Sequence, residues 1–589
     1  LVKTNDPVFA KDGKQLTEGE IGAAYRSNAK AKEGHVAITT ASEQFNLTYK
    51  GNYAVAENQR AARDFKTFTT ATNAASGTEF SPNVNAATEK DEIAGTAYES
   101  INHNLSFAYQ GDDRLFSLGV VNQTTPYQQY PNQRMDMTQN DSTKLNLGYQ
   151  QSLDWGTLDI KAYTEQVNHE MAFMDYKVSK QMPMSTDSKT NGLKLSTLVA
   201  LDKASDLDVG AEIQQFRLDD YWSPNPDAAG MSPGTFQNIN GGVRDRTSVY
   251  AEWLNQVNSK WHTRLGARYE QVTTDAGTVN GYHDADSFMM GAKITNEASE
   301  AAAFNASDRA KTDNNVNITW LTSYQPNDRF DMDFGLARQV RSPDLYERYT
   351  WSTWSMAALM NNFAGDGNGY VGDVNLKPET AYTASANFDW HHADKQQWGL
   401  QLMPYVSQVD NYIDATLVKK YGDFSVLQYA NQSARLFGLD MAGHYQLTQD
   451  MLGMWTVKMT ANYTQGKNTE TNDALYNVMP LNGKIAFEQQ YQAWQNAIEW
   501  VMVDKKSDTS DVRNEVATKG YNLVHLRASY GWKTAQLNFG VENVFNTDYQ
   551  LPTGGAYTGE GNTMSVTGIP LMAMPGQGRN VYVGVNYSF

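Results

Sequence analysis

The closing stretch Arg579-Asn-Val-Tyr-Val-Gly-Val-Asn-Tyr-Ser-Phe589 decides the fold. On an extended chain Val581, Val583, Val585, Tyr587 and Phe589 share one side, and Tyr582, Gly584, Asn586 and Ser588 share the other. An apolar face ending in aromatics, opposite a small polar face, suits a strand set between hydrocarbon and a wet lumen. The same period-two alternation recurs upstream, in Thr143–Tyr149, Thr157–Tyr163, Val316–Tyr324, Gly399–Val406 and Val524–Tyr530. With flanks, each supplies about the 9–11 residues that a tilted strand needs to cross hydrocarbon. Gln325-Pro-Asn-Asp328 and Thr448-Gln-Asp450 read as tight turns. Thr70–Glu99, Tyr221–Arg246, Thr295–Asn315, Trp351–Lys377 and Gln550–Gln577 read instead as long polar inserts. Tight turns on one side and long loops on the other is the asymmetry of a transmembrane barrel.

Composition fits that reading and narrows it. Only 40% of the 589 residues are apolar, yet aromatics reach 12%, with 33 Tyr and 13 Trp. A barrel with a polar lumen needs apolar residues on its lipid face alone, so half of each strand can stay hydrophilic. No apolar run is long enough for a transmembrane helix, which leaves the closed barrel as the form a bilayer permits. Cysteine is absent, so no disulfide or thiolate site is available within these residues. The net charge of −18 argues against a nucleic-acid partner, whose phosphates would repel it, and suits acidic loops or a cationic cargo. No signal peptide is present and the chain starts at Leu1, as expected of a mature or trimmed product.

Four segments resemble the TonB-dependent receptors of Gram-negative outer membranes. Gly540-Val-Glu-Asn-Val-Phe-Asn-Thr-Asp-Tyr549 is similar to that family's penultimate-strand motif. Pro575-Gly-Gln-Gly-Arg-Asn-Val-Tyr582 resembles its Pro-Gly-Arg lead into the last strand, with two extra residues before the Arg. Arg341-Ser-Pro-Asp-Leu-Tyr-Glu-Arg348 and Asn375-Leu-Lys-Pro-Glu-Thr380 resemble its mid-barrel pair. The terminal Phe after alternating aromatics is similar to the recognition signal of proteins folded into the outer membrane. The resemblance implies an all-β, antiparallel, up-and-down transmembrane barrel of about 22 strands, with long extracellular loops and short periplasmic turns.

The N-terminal side departs from the family, whose members carry a plug domain inside the barrel and a TonB-binding segment ahead of it. Leu1-Val-Lys-Thr-Asn-Asp-Pro7 resembles the last plug strand as it leaves for the barrel. Residues 1–17 are therefore expected to be the end of the plug and its junction, and 18–589 the barrel, with first hairpins around Glu18–Asn28 and Glu33–Tyr53. The plug itself is expected to be missing from this chain: deleted, cleaved, or a separate polypeptide. The implied partners are outer-membrane lipid, the plug, and a TonB-type energy-transducing protein acting through it. Phage or bacteriocins docking on the long loops would be compatible with that role.

Catalysis finds no support: His-Glu-x-x-His, Gly-x-Ser-x-Gly and a phosphate-binding Gly loop are all missing, and no organic cofactor is implied. Metal chemistry has more to offer. Among 22 Met, several stand close together: Met135-x-Met137, Met171-x-x-Met174, Met182-Pro-Met184, Met289-Met290 and Met572-x-Met574. Residues two apart on a strand face the same side, so Met135 with Met137, His169 with Met171, and Met182 with Met184 can each present two donors together. Thioether is a soft ligand that selects Cu(I) over hard divalent ions, and imidazole can join it. The bland alternative is that each Met is a flexible apolar filler.

Arg134–Asp141, Val167–Tyr176 and Met182-Pro-Met184 resemble the outer-membrane copper receptor subfamily, through a Met-Asp step, a His-x-Met step and then Met-Pro-Met. That resemblance implies two barrel methionines completing a copper site whose Cys and remaining Met come from the plug. The matching positions are Met135 and Met171, with His169 close by and Met137 as a substitute if the register slips by one pleat. Two other readings stay open. Tyr127, Tyr130, Trp222, Trp351 and Trp354 can furnish the aromatic platform of a ferric-siderophore receptor, and a chain without a plug would be a passive channel. Ala364-Gly-Asp-Gly-Asn-Gly-Tyr370 is calcium-loop-like but lacks the bidentate Glu, and His391-His392 sits where a strand should end.

Overall fold

The computed structural model describes residues 6–66, 71–72, 79–80, 88–174, 177, 183–227, 230–289, 292–295, 297–421, 424–560 and 571–589. Twenty-two strands form the wall, numbered here in chain order. The first eight are β1 (Leu16–Arg26), β2 (Ala31–Ala41), β3 (Phe45–Ala56), β4 (Tyr98–Gln110), β5 (Arg114–Gln128), β6 (Asp136–Leu153), β7 (Gly156–Ala172) and β8 (Met184–Ala200). Next come β9 (Ser205–Trp222), β10 (Phe236–Asn258), β11 (Trp261–Asp275), β12 (Lys311–Asn327), β13 (Phe330–Arg341), β14 (Glu379–His391) and β15 (Trp398–Tyr421). The last seven are β16 (Phe424–Asp450), β17 (Gly453–Asn468), β18 (Asn482–Tyr491), β19 (Trp494–Val503), β20 (Tyr521–Gly531), β21 (Ala535–Glu542) and β22 (Asn580–Ser588).

Each wall strand pairs antiparallel with its neighbours in sequence, and β22 returns to β1 with Val585 opposite Ala23. Closure leaves no open edge, which is what a bilayer demands of a sheet. The outward face of β22 is the expected one: Val581, Val583, Val585, Tyr587 and Phe589 are all exposed. Leu145, Leu193, Ile213, Val249 and Leu265 continue this apolar belt around the wall. The lumen face carries paired charge instead: Arg246–Glu270 at 2.6 Å, Lys484–Glu499 at 3.0 Å and Arg268–Glu212 at 3.1 Å. At the short-turn end, stacked pairs Trp261–Tyr324 and Phe330–Trp390 mark an aromatic girdle, with ring centroids 4.3 and 4.9 Å apart.

Many strands outrun the membrane on the long-loop side, reaching 23 residues in β10, 24 in β15 and 27 in β16. This corrects the insert Tyr221–Arg246, which is strand from Phe236 onward. Among the described residues are three short helices: α1 (Glu297–Asn305) and α3 (Ser355–Met360) in two of the other inserts, and α2 (Leu345–Tyr349) just ahead of the insert that begins at Trp351. The turn read at Thr448–Asp450 falls instead at Met451-Leu452, because β16 runs through Asp450.

The family-like motifs serve as fasteners. Asp344 caps α2 by accepting from Glu347 N at 2.7 Å, while the Glu347 side chain accepts from Asp344 N at 2.8 Å. Arg341 bridges that Glu347 to Glu379 of the Lys-Pro-Glu step, at 2.9 and 2.7 Å, so the mid-barrel pair is one contact. In the Asn-Val-Phe-Asn turn, Asn543 and Asn546 adopt left-handed φ of 49° and 52°, which asparagine tolerates. Asn546 Nδ2 donates to Ala62 O and its Oδ1 accepts from Arg579 N, tying the turn to the lead into β22.

Candidate functional site

The register of β6 to β10 assembles the candidate donors. Met137 lies opposite Met171, Met171 opposite Met184, Met184 opposite Trp222, and Trp222 opposite Phe236. Directly opposed residues share a face, so these five form one row across five strands. Leu145 and Leu193 point outward against Thr164 and Ala162 of β7, which sends the odd-numbered residues Glu165, Val167, His169 and Met171 into the lumen. One pleat below the methionine row runs a polar one: Asn140 opposite His169, His169 opposite Thr186, and Thr186 opposite Asp220.

His169 is half-buried, and its Nδ1 stands 3.3 Å from Asn140 Oδ1. With that oxygen accepting, Nδ1 carries the proton and Nε2 keeps its lone pair, which a metal can take. Met135 precedes β6 and is held by its neighbour. Asp136 and Lys177 form a fully buried ion pair at 2.6 Å, and Lys177 also donates to Tyr130 O and Gln133 O at 2.9 and 3.0 Å. Burial pulls the Lys177 ammonium below its ordinary pKa, against the opposing pull of Asp136.

Met135, Met171 and Met184 are buried together in one cluster, and Met231 and Met360 join them there. Those last two were not singled out in the sequence; they arrive from the loop before β10 and from α3. Nothing in their local spacing marks them, since loop folding alone brings them in. Trp222, Phe236 and Trp351 stack through the same cluster, with centroids 4.3 and 4.9 Å apart and planes within 10°. Trp222 and Trp351 are thus core rings rather than an open platform; Tyr130 and Trp354 pack half-buried against them, and Tyr127, on β5, is half-buried outside that cluster.

The remaining candidates separate from this group. Met137 is in the row but only half-buried, and Met174, half-buried beyond the end of β7, does not join the cluster. Met182 and Met290 lie outside the described residues. Met572 and Met574 pack elsewhere, against Tyr557 and Ile93, as apolar filler. The calcium-like loop is closed by its own partners: Asp366 takes Asn368 N and the Tyr370 hydroxyl. His391 ends β14, with Nε2 3.3 Å from Asp331.

Comparison with known proteins places the whole. Residues 88–544 match the family described as TonB dependent receptor-like, beta-barrel. The heme/hemopexin utilization protein C of Haemophilus influenzae (strain 86-028NP) is 22% identical over 296 residues, covering 47% of this chain and 38% of that protein's length. The solved copper transporter OprC superposes with a TM-score of 0.76 at 17% identity, covering 99% of this chain and 81% of OprC. The FrpB iron transporter from Neisseria meningitidis (F3-3 variant) gives 0.66 at 15% identity, covering 97% and 81%. A closed 22-strand wall, matched by the family model along most of its length, places this chain in the TonB-dependent receptor β-barrel family of the Gram-negative outer membrane.

Proposed function

We propose that this chain is the barrel of an energised copper importer, with Cu(I) as cargo. One observation carries the reading: Met135, Met171 and Met184 converge in a single buried cluster on the lumen wall, with His169 one pleat below. Thioethers do not titrate and hold soft cations weakly enough to release them, as a transporter requires. The likeness to OprC supports the cargo only as a resemblance of fold. In this proposal Met135 and Met171 are the principal barrel ligands, Met184 and His169 assist, and the plug supplies the rest. Met137, Met174 and Met182 are secondary positions along the same path. Residues 1–17 form the plug junction and 18–589 the barrel; a TonB-type protein pulling on the plug provides the energy, and the long loops are where phage or bacteriocins would dock.

The test is a Cu(I) titration of the complete, plug-containing receptor beside its Met135→Leu and Met171→Leu variants. Stoichiometric Cu(I) that weakens by about tenfold or more in each variant supports the thioether site. Unchanged binding in both rejects it. A second reading, heme or ferric-siderophore import, is favoured by the sequence match to the Haemophilus protein. Saturable heme binding by the same receptor, insensitive to both substitutions, would put that reading first.

A further inference from the structure

The lumen wall at the short-turn end carries a second group of metal-ligating side chains, which the copper reading leaves unused. Asp331 of β13 lies opposite Asp389 of β14, and His391 follows two residues after Asp389, so all three face the same side. Trp390, between them, is exposed on the lipid face, which turns the three into the lumen, level with the Phe330–Trp390 girdle pair. One donor atom from each lies within 4.8 Å of the other two. Gly399 of β15 stands opposite His391, and His444 of β16 stands opposite Gly399. A Cβ on Gly399 would come within 2.7 Å of His444 Cε1, so the missing side chain is what lets that ring lie over β15. Asp389, His391, Gln401 and His444 line one cavity there, of about 370 Å³.

Three observations separate this group from an ordinary ion pair. First, His391 is buried, with Nδ1 2.9 Å from His392 O; a carbonyl only accepts, so Nδ1 carries a proton. Nε2 then points at Asp331 Oδ2 from 3.3 Å, and two lone pairs cannot be left facing each other at that distance. Either a second proton sits on Nε2 or a cation is shared between the nitrogen and the carboxylates. Second, the Asp389 carboxylate and the His444 ring have no hydrogen bond or ion pair among the described residues. Third, the positive charge nearby is not locked in. Lys395 reaches Asp331 at 2.7 Å from the β14–β15 turn, but its side chain is mostly exposed and can withdraw into water. Lys458, which also lines the cavity, is committed to Glu488 at 2.7 Å.

We propose that Asp331, Asp389 and His391 bind a divalent transition-metal ion of the Zn(II) class at the periplasmic mouth of the lumen. Imidazole disfavours the hard ions Ca(II) and Mg(II), and two carboxylates without sulfur disfavour Cu(I), which leaves the borderline divalent ions. Ligand atoms about 2.1 Å from such an ion stand about 3.4 Å apart in a tetrahedral site. The donors here are no more than 4.8 Å apart, so rotation of the two carboxylates is enough to close the set. The His392 carbonyl holds the ring while Nε2 offers its lone pair, an outer contact that fixes the ligating tautomer. Binding ties β13 to β14 beside their short turns and stabilises the folded wall by mass action. The site differs from the methionine cluster in place and in chemistry, since that cluster lies under the long loops and offers thioethers.

The experiment strips metal from the complete receptor, carried without a histidine tag, and titrates it with Zn(II) in competition with a chromophoric chelator. The expected result is one Zn(II) per chain at this site, weakened by about tenfold or more in Asp389→Asn and in His391→Gln. Asp389→Asn removes a charge without breaking a contact among the described residues, and heat-modifiable gel migration verifies that both variants are folded barrels. Met171→Leu is expected to leave Zn(II) binding unchanged, which separates this site from the methionine cluster. Failure of the unmodified receptor to bind stoichiometric Zn(II) overturns the proposal and assigns the Asp331 contact to a second proton on Nε2. So do two folded variants that keep full affinity.

Discussion

Two buried knots sit beneath the long loops, and they are built from opposite chemistry. The first joins Met135, Met171, Met184, Trp222, Phe236 and Trp351 on the β6–β10 side, with few charges inside it. The second centres on Arg513, whose Nη2 reaches Asp414 of β15 at 3.2 Å, whose Nη1 meets the Tyr370 hydroxyl, and which lies 3.8 Å from Asp366. Asn368 adds a bond to Arg513 O at 2.6 Å. A buried charge is tolerable only when paired, and Nη1 and Nη2 of Arg513 are committed to pinning two loops against the wall, while its buried Nε has no partner. The first knot offers soft sulfur with no counter-ion to displace. Burial fixes loops in both places, but the proposed copper site draws on the first alone.

Breaking the charged knot should give the largest effect. Arg513→Ala strands Asp414 and Asp366 without their partner, and removing one member of such a pair costs about 3–5 kcal/mol. Loss of hydrogen-exchange protection in the loops carrying Asp366 and Arg513 reads that cost directly. Cu(I) affinity should stay unchanged. A parallel loss of copper would mean that the two knots are coupled and that the comparison fails.

The methionine knot separates volume from chemistry. Met171→Ala should cost about 2–5 kcal/mol through the cavity it leaves. Met171→Leu conserves volume and should cost less than about 1.5 kcal/mol, yet forfeit the thioether. Thermal unfolding and Cu(I) titration of the two variants check this: a leucine variant that is stable but binds about tenfold more weakly marks a ligand. If leucine retains full affinity, Met171 is filler like Met574. Met574→Leu, in the separate cluster with Tyr557 and Ile93, should change neither stability nor copper by a measurable amount.

What was legible in the sequence follows where the membrane imposes a pattern. The alternation of β22 gave its outward and inward faces residue by residue, because hydrocarbon on one side and water on the other leave no freedom. His169-x-Met171 and Met184 were legible for the same reason: they extend that alternation just past the belt. Phe236–Arg246 was misread as an insert because it rises above the hydrocarbon, where no lipid imposes alternation and its buried apolar residues Phe236 and Ile239, three apart, pack into the loop cluster out of step with a period of two. Gly241, with φ of 53°, and shifts in pairing near Asp220 interrupt it further. Met231 and Met360 were illegible altogether, since only the folding of loops delivers them to the site.

The smallest expected effect concerns the α1 insert that abuts the methionine knot. Glu297 begins α1, is fully buried, and its Oε2 accepts from Tyr282 N at 2.8 Å. Burial raises its carboxyl pKa above the ordinary value of 4.5, opposed in part by that backbone donor and by nearby His283, with Glu300 adding to the rise. A group whose folded pKa is raised binds its proton more tightly when folded. Its stabilisation is therefore fully present below about pH 4.5 and fades as pH climbs through the raised value. Hydrogen-exchange protection of residues 279–305 should be a few-fold greater at mildly acidic pH than at pH 8, and Glu297→Gln should flatten that dependence. Protection that grows with pH would reverse the sign and show that the Tyr282 N–H bond to the carboxylate outweighs its desolvation. The neighbouring methionines carry no proton to lose, so Cu(I) binding should be the steadier of the two quantities across the same range.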